Sequence, residues 1–288
     1  MRGFPPKRIV VAVDLSTASR AALDAAKALG RRWGSTLELM HVRQPALAAV
    51  GVGRDAMPVL LPQDDAEFER CKEDWLRAAM TGFPAERVSV RMIQGSPVHE
   101  LCERAAAGAA DLLVMGTHGY AGLDRALRGS VAEAVIRAAR MPVLTVQQSK
   151  VPLNAAQILA PWNDRPYATR ALRYASALAL SLGAELRVLH VVPSRLSVDE
   201  SDPSLERKVE RLLGPGSTPV WSLRVRVGDA REHIVREANS GRFGLVVVSA
   251  HRRPFSSDVV LGSTVERLLR HALVPVLAYP SGGPSLAH

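Results

Sequence analysis

Unbroken runs of Val, Ile and Leu recur along the chain, each followed by a longer stretch in which Ala and Leu return at helical spacing. In the first half the apolar runs lie near residues 8–14, 36–42, 88–94, 111–116 and 142–147. Runs without polar alternation are what parallel strands show when both faces of a sheet are covered. Between them, residues 17–33, about 64–82, 97–108 and 130–140 carry Ala and Leu on one face, which predicts amphipathic helices. Ser16 stands where a helix N-cap is needed and Gly34 where the first helix should stop. Strand and helix in alternation predict an α/β fold built on a doubly wound five-stranded parallel sheet.

The pattern is written twice. Ile9–Asp14 reads like Ile158–Asn163, displaced by 149 positions (163 minus 14). At that displacement Ala22-Leu23 meets Ala171-Leu172, Gly34 meets Gly183, and His41-Val42 meets His190-Val191. The later part of each copy aligns at 133 (228 minus 95): Gly95 meets Gly228, His118 meets His251, and Gly129-Ser130 meets Gly262-Ser263. Pro142-Val143-Leu144 likewise meets Pro275-Val276-Leu277. The two displacements differ by 16, a deletion in the second copy between its second and third strands. Two tandem domains follow, 1–150 and 151–288, linked through residues 148–156.

Composition narrows the class. A chain of 288 residues suits two cores of ordinary size. With 47% hydrophobic but only 5% aromatic residues, those cores must be built from Ala, Val and Leu. Cys71 and Cys102 are too few for a disulfide framework, so a reduced, cytoplasmic setting is expected. Neither a leader's apolar segment nor a run of about 18 apolar residues is present, which speaks against a membrane partner. The net charge of +9 raises nucleic acid as a partner. The basic residues are scattered and no recognition motif accompanies them, which argues against it; attraction of a polyphosphate explains part of the charge equally well.

In an open parallel sheet, ligands sit beyond the carboxyl ends of strands where the strand order reverses. The first strand ends at Asp14, the second at Val42, and the fourth in Met115-Gly116-Thr117-His118-Gly119. From there the spacing is Gly-x2-Gly-x9-Gly-Ser, closing on Gly129-Ser130 at the head of a helix. Gly116 and Gly119 lack a Cβ, so the backbone can turn with positive φ and come close to a sugar or phosphate. A helix start offers free N–H groups and a positive dipole end to anions.

These features resemble the universal stress protein family: the glycine motif, the opening strand ending in Asp14, His41-Val42, and the closing Pro-Val-Leu strand. The likeness covers nearly the whole chain, once per copy, and implies an adenine nucleotide hydrolase-like, Rossmann-like fold. It implies a regulatory protein of the stress response that binds ATP, with Mg²⁺ carried on the phosphates, and no assigned catalytic residue or protein-held metal. The nucleotide-contacting positions it implies are Ala12, Asp14, Val42, Met115, Gly116, Gly119, Gly129, Ser130 and Val131. Ala12 departs from the proline often found there in the family. In the second copy Asn163 replaces the aspartate, and Ser249 and Arg252 replace the first two glycines. Only Gly262-Ser263 survive, so ATP is expected in the first copy alone.

Two other readings stay open at this stage: an ATP hydrolase or adenylyl-transferring enzyme on a related fold, and a scaffold that binds proteins without nucleotide. Gly51-Val52-Gly53 and its flank match a loose dinucleotide fingerprint, but Pro58 follows where a helix should form, and a loop is expected. His118 and His251 read as hydrogen-bonding loop residues, His41 and His190 as structural ones. The closing strands, Val143–Val146 and Val276–Tyr279, are expected at sheet edges; the resemblance implies that these strands pair between domains, here with each other within the chain. A homodimer or a further protein partner would then need a different surface.

Overall fold

A computed structural model of the chain describes residues 4–14, 16–44, 47–50, 57–60, 65–107, 110–117, 130–147, 156–193, 203–214, 219–255 and 258–282. In the first copy β1 (Arg8–Ala12) leads through α1 (Thr17–Trp33) to β2 (Thr36–Arg43). A short antiparallel pair follows, β3 (Leu47–Val50) and β4 (Met57–Leu60), then α2 (Asp65–Met80) and β5 (Val88–Gln94). The copy closes with α3 (Pro97–Ala106), β6 (Leu112–Gly116), α4 (Ser130–Ala138) and β7 (Val143–Val146). The second copy runs β8 (Gln157–Trp162), α5 (Pro166–Leu182), β9 (Glu185–Val192), α6 (Pro203–Leu213) and β10 (Trp221–Val227). It continues with α7 (Ala230–Ala238), β11 (Leu245–Ala250), the pair β12 (Arg252–Phe255) and β13 (Asp258–Leu261), α8 (Ser263–His271) and β14 (Val276–Pro280).

Local chemistry fixes the helix ends. The Ser16 hydroxyl accepts from the Ser19 amide at 3.1 Å, capping α1. Gly34 and Gly183, matched at the displacement of 149, end α1 and α5 with φ of 66° and 69°. That left-handed turn penalises any side chain, which explains why glycine stands in both places.

Ten strands form one sheet in the order β10-β9-β8-β11-β14-β7-β6-β1-β2-β5. Each copy contributes five parallel strands, and its first strand lies between the second and fourth, so the order reverses there. The copies join where β14 runs antiparallel to β7, with Thr145 opposite Val276, Leu144 opposite Leu277 and Val143 opposite Ala278. The Thr145 hydroxyl adds a buried hydrogen bond to the Val276 carbonyl at 3.0 Å. The expected pairing of the closing strands is thus made inside one chain.

Strand residues alternate between two helical layers. Ile9, Val11, Leu112 and Val114 turn to the layer of α1 and α5, whereas Val10, Leu113 and Met115 turn to that of α3, α4, α7 and α8. Both layers run across the seam. On the first, Phe4 meets Trp33 and Tyr174 edge-on at 5.6 and 5.5 Å, and Tyr174 lies 5.0 Å from Tyr279. Aromatic pairs of this kind add about 0.5–1.5 kcal/mol beyond the area they bury. Burial pushes the Tyr174 phenol above its ordinary pKa, so it stays neutral. On the second layer, Arg270 of α8 donates from Nε to Glu133 of α4 at 3.0 Å.

Neither short hairpin was expected from the apolar pattern. The 16-residue surplus of the first copy houses β3 and β4: residues 44–87 separate β2 from β5, against 193–220 between β9 and β10. Pro58 stands in β4 opposite Ala49, so no helix follows the glycine-rich stretch, whose residues 51–56 lie outside those described. In the second copy, β12 and β13 occupy the positions that match 119–128 of the first.

Candidate functional site

In the first copy the switch point lies between β1 and β6. Ala12 is opposite Met40 of β2 on one side and Met115 of β6 on the other. Met115 is buried in the layer of α3 and α4, and Ala12 and Val42 pack against the same cluster. Three of the sequence-derived positions therefore share one face at the carboxyl end of the sheet. Asp14 lies two residues past the end of β1, half-buried, and its Oδ1 accepts from the Ser16 amide at 3.0 Å. The carboxylate is thereby oriented by the turn into α1.

His41 holds that turn from the neighbouring strand, with its Nδ1 2.8 Å from the Val13 carbonyl oxygen. His190 makes the matching contact in the second copy, Nδ1 to the Trp162 carbonyl oxygen at 2.9 Å. Val13 and Trp162 correspond at the displacement of 149, so the strut is duplicated, as its structural reading requires.

Gly116 is a glycine for a different reason from the one its motif suggests. It is absent from the positive-φ residues of the chain. Instead, a Cβ there would stand 2.8 Å from the carbonyl carbon of Ala18 and 2.9 Å from its Cβ. The start of α1 lies directly on the end of β6, and no side chain fits between them. Gly116→Ser should therefore lower stability by about 1–3 kcal/mol, the usual cost of overfilling a packed contact. Urea unfolding with an unchanged midpoint would refute this.

Gly119 and Gly129 lie outside the described residues. Ser130 opens α4, and Val131 in its first turn is 38% exposed. Glu133, also in the first turn, is held by Arg270 from the second copy.

The second copy has a different arrangement at the same place. The Asn163 amide donates to the Tyr167 hydroxyl at 3.1 Å. The Tyr167 ring stacks on His251 with centroids 4.1 Å apart and planes at 10°. Tyr167 stands where the first copy has Ala18, and Ser249 where it has Gly116. The Ser249 Oγ and His251 Nδ1 are buried without a hydrogen-bond partner. His251, expected as a hydrogen-bonding loop residue, is thus engaged through its ring. The aspartate's negative charge is gone, and the asparagine that replaces it is engaged with Tyr167. Sequence reasoning missed Tyr167 and Arg270; the signal for the first was a tyrosine at the position matching Ala18.

Among the described residues, no three His, Cys, Asp or Glu side chains converge as a metal site. No described helix is long and apolar enough to cross a membrane.

Comparison with known proteins agrees with the duplication. The family described as "Universal stress protein family" matches at residues 5–147 and again at 155–280. The chain is 33% identical to universal stress protein A homolog 1 of Coxiella burnetii, over 49% of this chain and 95% of that protein. It is 24% identical to a universal stress protein of Mycolicibacterium smegmatis over 93% of this chain and 95% of the relative. The crystal structure of a universal stress protein from Archaeoglobus fulgidus superposes with a TM-score of 0.71 at 20% identity, covering 95% of this chain and 96% of that one. The chain belongs to the universal stress protein family and carries its domain twice.

Proposed function

We propose that the protein is a cytoplasmic, nucleotide-binding regulator of the stress response that holds one ATP in residues 1–150, while residues 151–288 form a degenerate copy. The observation that carries this reading is the contrast between the two switch points. In the first, Ala12, Val42 and Met115 offer one apolar face beside an oriented carboxylate, Asp14. In the second, Asn163 replaces the carboxylate and its amide is engaged with the Tyr167 hydroxyl, and Ser249 stands in place of Gly116.

The chemistry suits adenine. A carboxylate only accepts hydrogen bonds, so it can take one from the exocyclic amine of adenine but meets the carbonyl of guanine unfavourably. The apolar face takes the ring. Gly116, Gly119, Gly129, Ser130 and Val131 are the proposed sugar and phosphate contacts, and Ser130 opens α4, whose free N–H groups favour phosphates. Mg²⁺ would arrive on the phosphate oxygens, which suit it as hard ligands.

Calorimetric titration tests the reading. ATP should bind at close to one per chain, with GTP weaker by at least tenfold. A stoichiometry near two would overturn the degeneracy of the second copy. No heat with either nucleotide would leave a protein-binding scaffold as the function.

A further inference from the structure

Across the seam, the second copy reaches the part of the first where phosphates are proposed to lie. Because β14 runs antiparallel to β7, the last turn of α8 comes alongside the first turn of α4. Arg270 belongs to the former and Glu133 to the latter, and they meet at 3.0 Å. Glu133 is 13% exposed and Arg270 54%, so the carboxylate is covered while the guanidinium faces solvent. Helical side chains lean towards the N-terminus of their helix, which brings the Glu133 carboxylate back towards the opening of α4.

An acidic group in a first turn is favourable for the helix itself. It is unfavourable for a second, polyanionic occupant of the same helix end. Like charges at that end repel, and a triphosphate multiplies the repulsion several-fold. Arg270, half exposed, cancels that repulsion through its Nε bond to Glu133.

The internal duplication supplies a comparison. Glu133 and Arg137 match Glu266 and Arg270 at the displacement of 133, so the seam could hold a second bridge, Arg137 to Glu266. No such ion pair is made, and the Arg137 Nε is buried without a partner. The bridge is present only at the helix that follows the intact glycine motif.

We infer that Arg270, although part of the second copy, is a positioning residue for the phosphates of the nucleotide in the first. By holding Glu133 it neutralises the first turn of α4 and places a cation beside the phosphate end. This rests on the nucleotide reading above. It gives the degenerate copy a role at the other copy's site.

The test is titration of the full chain with ATP and with adenosine, which has the base and sugar but no charge. Arg270→Met should weaken ATP about tenfold and leave adenosine unchanged, and the difference should shrink as salt is raised. Arg270→Lys should recover most of the loss, as should Glu133→Gln added to Arg270→Met. If ATP and adenosine weaken together, Arg270 only braces the seam, and the inference fails. It fails equally if Arg270→Met leaves both affinities unchanged. A wild-type chain that binds neither compound overturns the nucleotide reading itself, which separates the two outcomes.

Discussion

Thr145→Pro should part the two halves of the chain. The carbonyls of Pro142 and Val146 accept from the Leu113 and Thr117 amides on the β6 side. Backbone groups alternate along a strand, so Val143 and Thr145 turn theirs towards β14. Proline at 145 removes a ladder donor in the middle of the sheet, where proline is essentially never tolerated. The Thr145 hydroxyl bond to Val276 is lost as well, worth about 1 kcal/mol. Small-angle scattering at low concentration should show one compact body for the wild type and a longer, two-bodied profile for the variant. Thr145→Val keeps the backbone donor and removes only the hydroxyl. It should stay compact with a lower unfolding midpoint, which separates seam loss from general unfolding. A wild-type profile of two independent bodies would refute the seam.

The largest effect on binding is expected at position 119. Gly119→Arg, which copies the residue at 252, should abolish ATP binding, a loss of at least a hundredfold. The position belongs to the proposed sugar and phosphate contacts, and a long cationic side chain there takes the room a ligand needs. Its counterpart, Arg252, begins β12 in the copy that lacks the aspartate and the first two motif glycines. Urea unfolding should be nearly unchanged, because the second copy carries arginine at the matching position. A folded variant with an unaltered dissociation constant would show that the glycine loop is not the binding element. Loss of binding with loss of folding would be told apart by circular dichroism.

How much of this could be read from residues alone differs from element to element. The five strands of each copy, the Ser16 cap and the Gly34 stop rest on local periodicity and local hydrogen bonds, and they stand where expected. The seam was legible through the resemblance, which pairs the closing edge strands of two domains, together with the duplication that puts both in one chain. The hairpins were not: four-residue strands carry too little pattern, and Pro58 masked β4. Gly116 was legible as a required glycine, but its cause was not, since Ala18 meets it from nearly a hundred residues earlier. The Tyr167–His251 stack and the Arg270–Glu133 pair likewise join distant segments, so no spacing rule could announce them. Aligning the two copies residue by residue flags each position, yet only the fold shows which differences touch.

The opposed directions of β7 and β14 have a consequence for how the molecule meets its surroundings. The carboxyl ends of the two half-sheets emerge at opposite ends of the ten-stranded sheet. A symmetric pair of single-domain chains has two interchangeable heads, and any change in its gene alters both. Here the heads are encoded separately. On the nucleotide reading proposed above, one head would respond to a small molecule while the other stays a fixed face, which would give the protein a direction: a front whose occupancy varies and a back that stays constant.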